Sequence, residues 1–126
     1  MRRISWRDLL SASKRAVKRL YDAGVNIAVG TDSGAPGVVI GSAVHKELEV
    51  MIEAGISPLA AIVSATKKAA ENLGAGNELG TIEVGKLADI VVVSGHPTTY
   101  IADTKNIKLV IKDGRVLVDK LGLLEV

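Results

Sequence analysis

Residues 23–34 read AGVNIAVGTDSG, and the reading of this stretch decides how the rest of the chain is arranged around it. The run Val25 to Gly30 is short and rich in β-branched residues, with Gly24 before it and further glycines after it. That is the pattern of a buried strand. Asp32 then falls just past the strand's C-terminal end, where open α/β sheets and barrels place ligand-binding and catalytic groups. Three readings of the stretch stay open. Asp32 can ligate a hard or borderline metal, or take a proton from a metal-bound water; Ser33 can be a nucleophile; or the whole stretch can be a tight turn in which Asp32 bonds nearby backbone N–H groups.

The nucleophile reading is weakened by order along the chain. TDSGAP (31–36) looks superficially like the Asp-Ser-Gly stretch of trypsin-like proteases, whose histidine and aspartate precede the serine. Here both histidines, His45 and His96, follow Ser33. A phosphate cradle is a further option, because Gly30, Gly34, Gly37 and Gly41 precede a helix start that would attract an anion. No Gly-Lys-Ser or G-x-G-x-x-G pattern accompanies them, and Asp32 would repel a phosphate.

Outward from this stretch, the apolar residues Trp6, Leu9, Leu10, Ala16, Val17, Leu20 and Tyr21 fall on one helical stripe. Ser5 is placed to cap that helix with Asp8 three residues on, and Gly24 to stop it, which predicts a helix over 5–23. A second helix is expected over 42–54, with Val44, Leu48, Met51 and Ile52 as its apolar face and Gly55 as its stop. A third starts at Ser57-Pro58, serine capping and proline in the first turn, and runs to about Leu73. From Gly80 the period changes. LADIVVV (87–93) reads as a strand, and NIKLVIKDGRVLVD (106–119) as two alternating runs around Asp113-Gly114, a type I′ hairpin signal.

Composition bounds the rest. The chain has 126 residues, the length of one ordinary domain and too short for a complete barrel enzyme of roughly 250 residues. Apolar residues make up 48% of it but Phe is absent, so the core is expected to be aliphatic. A net charge of +2 with both signs interspersed offers no basic patch for nucleic acid. Zero cysteines exclude disulfides, thiolate metal sites and cysteine nucleophiles. No apolar run approaches the roughly 20 residues of a membrane span, and MRRISWRDLL (1–10) has no secretory h-region. A soluble cytoplasmic protein without nucleic-acid or membrane partners is the expectation. Neither His45 nor His96 has a partner at metal-ligand spacing, and both read as surface histidines. Lys46, Glu47, Glu49 and Glu53 read as a solvated helix face, as do Lys67 and Lys68.

Taken together, AGVNIAVGTDSG (23–34), HKELEVMIEAGISPLAAIVSATKKAAENLG (45–74), LGTIEVGKLADIVVV (79–93) and VIKDGRVLVD (110–119) resemble the C-terminal portion of metal-dependent amidohydrolases, closest to the imidazolonepropionase-like and Xaa-Pro-dipeptidase-like branch. The resemblance runs from about Ser13 to Asp119. It implies an α/β fold: residues 1–76 as the terminal strand and helices of a (β/α)8 TIM barrel, with Val25–Gly30 as its last strand, and residues 77–126 as the C-terminal half of a small composite β-sandwich. It also implies that Asp32 touches a divalent metal, zinc in the first instance, and acts as the general base for water attacking a C–N bond of a small amide or dipeptide.

The departures from the family pattern are equally specific. The family's H-x-H pair, its lysine on strand four and its histidines on strands five and six have no counterpart here. Asp32 is the one site residue carried over, and His45 and His96 are not at ligand positions. Lys68 stands where related chains usually have Asn. By this resemblance the chain corresponds to the last barrel unit and half of the β domain of a hydrolase. Alone it is expected to lack the means to hold the metal. It is expected either to complete a site with an N-terminal partner chain or to persist as a non-catalytic α/β module in a homo-oligomer.

Overall fold

A computed structural model describes residues 5–36 and 38–123; Gly37 of the glycine series and residues 1–4 of the N-terminal reading lie outside it. The described residues form four α-helices, α1 (Trp6–Asp22), α2 (Ala43–Glu53), α3 (Pro58–Ala65) and α4 (Lys67–Asn72). An antiparallel sheet follows, of β1 (Ile90–Val93), β2 (Ile107–Lys112) and β3 (Arg115–Asp119) in that order. A 3-10 turn, Ile101–Lys105, lies between β1 and β2.

Local chemistry accounts for most of these boundaries. At the start of α1 the Ser5 hydroxyl accepts the Asp8 N–H, and the Asp8 carboxylate accepts the Ser5 N–H, both at 3.2 Å. Two otherwise orphaned donors are satisfied reciprocally. The helix ends at Gly24, whose φ of 78° is accessible to glycine without a Cβ clash. Ser57 accepts the Ala60 N–H at 3.3 Å, with Pro58 in the first turn of α3, as the sequence predicts. The hairpin is also as expected: Asp113 and Gly114 have φ of 50° and 72°, the two positive values a type I′ turn demands. Asp89 fastens that turn, accepting from the Asp113 N–H at 2.8 Å and from Lys112 Nζ at 2.5 Å.

Two elements differ from expectation. The single helix predicted from Ser57 to about Leu73 is divided at Thr66, whose backbone leaves the helical region (φ −120°, ψ −87°). The Thr66 hydroxyl donates to the Ile62 carbonyl at 2.8 Å, a back-bond that competes with the regular ladder and bends helices. The second difference is larger. Val25–Gly30 forms no strand ladder among the described residues; its backbone bonds to helices are Val25 N–H to the Leu20 carbonyl of α1 at 3.0 Å and Val29 N–H to the Ser64 carbonyl of α3 at 3.1 Å. A ladder needs a neighbouring strand, and the described residues set this segment against α1, α2 and α3 instead. Val25 is accordingly exposed, while Ile27 to Val29 are half-buried.

The core sits between α2, α3 and the 3-10 turn. Leu48, Met51, Ile56, Ala61 and Ile101 are buried together, with Val17 and Val29 packed against them. The helical segment and the β-rich segment thus meet at Ile101. Around that contact, Lys105 Nζ donates to Glu49 at 2.5 Å, and His45 Nδ1 lies 3.0 Å from the Thr104 hydroxyl. Lys14 of α1 pairs with Glu53 at the end of α2. These contacts correct two expectations from the sequence: His45 is part-buried rather than a surface histidine, and Glu49 and Glu53 are cross-element ties rather than a merely solvated face.

Candidate functional site

Asp32 lies in the loop between Val25–Gly30 and α2. Its backbone has a φ of 47°, one of two non-glycine residues with positive φ among those described. The left-handed region costs an L-residue roughly 1–2 kcal/mol, although Asp and Asn tolerate it better than most. The turn-cap reading would offset that cost with bonds from the Asp32 carboxylate to nearby N–H groups. That arrangement is not seen among the described residues. It is the Asp32 carbonyl that accepts the Ala35 N–H, at 3.2 Å, while the carboxylate is exposed and has no hydrogen-bond or ion-pair partner among the described residues. A strained residue whose polar end has no partner among the described residues is characteristic of sites where strain serves function.

The neighbours of Asp32 hold the loop instead. Thr31 Oγ1 and Ser33 Oγ are 2.7 Å apart, bridging from one side of Asp32 to the other. Ser33 is thus engaged with a threonine hydroxyl, and no histidine bonds it as a base, so the arrangement a serine nucleophile needs is not assembled here. Thr31 is the residue that sequence reading passed over. The signal was present as two hydroxyl residues flanking an acid, but the i,i+2 pairing becomes legible only once the middle residue is known to be left-handed.

The other candidates are dispersed. His45 is engaged with Thr104 on the 3-10 turn. His96 is exposed in the loop after β1, its N–H donating to the Asp103 carboxylate at 2.9 Å and its carbonyl accepting from Thr99 and Tyr100. Gly30, Gly34 and Gly41 line the approach to α2, but Ser42 at the start of that helix makes no side-chain cap. Lys68 pairs with Glu71 at 3.0 Å. Among the described residues no group of three or more His, Cys, Asp or Glu side chains could hold a metal ion. Catalytic zinc takes three protein ligands and keeps one position open. The donor set of the described residues by itself therefore does not fit such a metal, with Asp32 as the candidate ligand.

Two concavities are formed by the described residues, neither lined by Asp32. A cleft of about 720 Å³ opens between α3, α4 and the segment leading into β1, lined by Ile62, Ala70, Leu79, Lys86 and Ile90. Its floor is held by Lys86, which sequence reading also passed over, with Nζ donating to the Gly76 carbonyl at 2.7 Å and to the Thr81 hydroxyl at 2.6 Å. A smaller hollow of about 250 Å³ lies between α1, α2 and Ile27–Gly30.

Comparison with known proteins gives this geometry a frame. The amidohydrolase family model matches residues 6–117. The imidazolonepropionase of Symbiobacterium thermophilum is 32% identical over 117 residues, covering 89% of this chain and 27% of that protein. An adenine deaminase of Clostridium botulinum is 34% identical over 122 residues, covering 95% of this chain and 19% of that protein. Among solved structures, a Xaa-Pro dipeptidase with methionine bound in its active site superposes with a TM-score of 0.77 at 39% identity, over 83% of this chain and 25% of that one. The chain spans about a quarter or less of the length of these relatives.

Proposed function

Because this chain belongs to the amidohydrolase family, we propose that it supplies Asp32 as the reacting carboxylate of a hydrolase site that cleaves C–N bonds in small molecules, with the remaining site groups coming from outside these 126 residues. The names of the relatives, an imidazolonepropionase, an adenine deaminase and a Xaa-Pro dipeptidase, share that bond type and set the substrate class as a small amide, amine or dipeptide. In this reading Val25–Gly30 is the last strand of a barrel, β1–β3 belong to a composite β-sandwich, and the division between the two falls near residue 76.

The single observation that supports the reading is the state of Asp32: left-handed, exposed, and without a partner for its carboxylate among the described residues. The chemistry its own atoms can perform is proton transfer. An ionised carboxylate accepts a proton from the attacking water, so that hydroxide adds to the carbon of the C–N bond, and returns the proton to the departing nitrogen. The family is generally metal-dependent. The chain's own donors do not fit a metal site alone, so any metal would be held together with ligands from elsewhere.

The test is reconstitution. The Xaa-Pro dipeptidase, expressed without the quarter of its chain that this one matches, is mixed with this chain, and native mass, zinc content and dipeptide hydrolysis are measured. A one-to-one complex that retains zinc and turns over substrate is the expected result; no complex and no turnover contradicts the reading. A second reading, a non-catalytic homo-oligomeric module, is favoured by the apolar stripe of α1, where Trp6 is 86% exposed and Leu9, Leu10 and Leu20 are nearly half exposed. Contiguous exposed apolar surface drives association. A defined, metal-free oligomer of the isolated chain that refuses the partner would support it.

A further inference from the structure

Among the described residues nothing bonds the Asp32 carboxylate, so its left-handed backbone is held there by another interaction. Two candidates are present. The Asp32 carbonyl accepts the Ala35 N–H at 3.2 Å, and the Thr31 and Ser33 hydroxyls meet at 2.7 Å. The second is tied to the conformation of Asp32 itself. Along a regular strand, residues two apart stand roughly 6.6 Å from each other at ~3.3 Å per residue, so two short hydroxyl side chains would fall short of a hydrogen bond. The reversal at Asp32 brings them within reach, and their bond in turn opposes straightening of the residue between them. Thr31 is half-buried and β-branched, with few rotamers to choose from, whereas Ser33 is exposed.

The geometry points to Thr31 and Ser33 as positioning residues that clamp Asp32 in the left-handed conformation and so fix the direction in which its carboxylate is presented. The inference rests on reading Asp32 as the reacting carboxylate and adds to it the device that aims the group. Neither hydroxyl needs to touch substrate. Ser33, whose sequence context first suggested a nucleophile, has on this view the role of aiming its neighbour.

The experiment uses the isotopically labelled whole chain and the variants Thr31→Val, Thr31→Ser and Ser33→Ala. The readout is the amide-to-Hα nuclear Overhauser effect within Asp32, strong where φ is positive and weak where the backbone is extended. Thermal melting is followed in parallel. Thr31→Val and Ser33→Ala should each reduce that signal severalfold while moving Tm by no more than roughly 2 °C, as surface substitutions do, and Thr31→Ser, which restores the hydroxyl, should keep the signal at its original strength. A strong Asp32 signal in both Thr31→Val and Ser33→Ala overturns the proposal. Should Thr31→Val fail to fold, Ser33→Ala decides alone. The signal reports conformation and not turnover, so a negative result here leaves the proposed role of Asp32 standing, and loss of that role leaves this result standing.

Discussion

The cluster between α2, α3 and the 3-10 turn and the segment from Val25 to Gly41 are held by different means. In the cluster, Leu48, Met51, Ile56, Ala61 and Ile101 bury one another, and Lys105–Glu49 and His45–Thr104 brace the same contact. In the segment, Val29 makes one backbone bond to α3, and the turn beyond it rests on a hydroxyl pair and a left-handed aspartate. The first region is stabilised by contacts that lie within the chain. The second has no neighbouring strand among the described residues, and it carries the residue proposed for chemistry. Packing and presentation are separated, so substitutions in the two regions should have effects of different size and kind.

The largest loss is expected from the cluster. Ile56 is 2% exposed, and Ile56→Ala should cost about 2–5 kcal/mol by removing buried methyl groups and leaving a cavity. Denaturant unfolding measures it, and a loss of only a few tenths would mean that this core is loosely packed.

Gly80→Ala comes next. A Cβ there would lie 2.7 Å from the Ala70 Cβ and 3.0 Å from the Lys67 Cα, at a φ of +90°. Overpacking and backbone strain together should cost roughly 1–3 kcal/mol, read from the same unfolding curves.

Acid should loosen the ties around α2 before it affects the apolar contacts. The hydrogen bond from Lys105, followed by that from Lys46, lowers the Glu49 carboxyl below its ordinary value, and the bond from Lys14 does the same for Glu53. A carboxyl lowered in the folded state contributes stability that is present above its unfolded value, near 4.5, and lost as pH falls through the folded one. The melting temperature should therefore decline as pH drops below about 4.5. Glu53→Gln should make that decline shallower, and an unchanged slope in the variant would remove Glu53 from the explanation.

The smallest effect belongs to the presenting segment, and it should have the opposite sign. Asp32→Gly replaces a strained residue with one free to adopt positive φ, so Tm should rise by roughly 2 °C after the extra chain entropy of glycine is deducted. A fall would mean that the aspartate side chain holds the loop after all.

Legibility in the sequence follows the same division. Elements set by short-range chemistry were readable: the Ser5–Asp8 capping box, the Ser57-Pro58 start and the Asp113-Gly114 hairpin each need only a few adjacent residues. The break at Thr66 was not, because a hydroxyl four residues after Ile62 can bend a helix or simply point to solvent. The Val25–Gly30 pattern reads as a strand, but no ladder forms there among the described residues, because pairing depends on partners that no local pattern carries. At the site, sequence reading named Asp32 and its place beyond the extended run. It missed Thr31, whose contact with Ser33 exists only through the reversal at the residue between them. The family, in contrast, was legible in four separated segments kept in order.

The most direct test of Asp32 as an unemployed structural residue and a working chemical one is Asp32→Asn in the complex reconstituted with the truncated dipeptidase, followed by turnover and melting temperature on the same preparation. Turnover should fall by roughly 10²–10⁴-fold, the usual contribution of a positioned acid–base group, with Tm nearly unchanged. Full activity in the variant, or a collapse of Tm with activity lost only in proportion to the unfolded fraction, would contradict it and return Asp32 to the role of a turn residue.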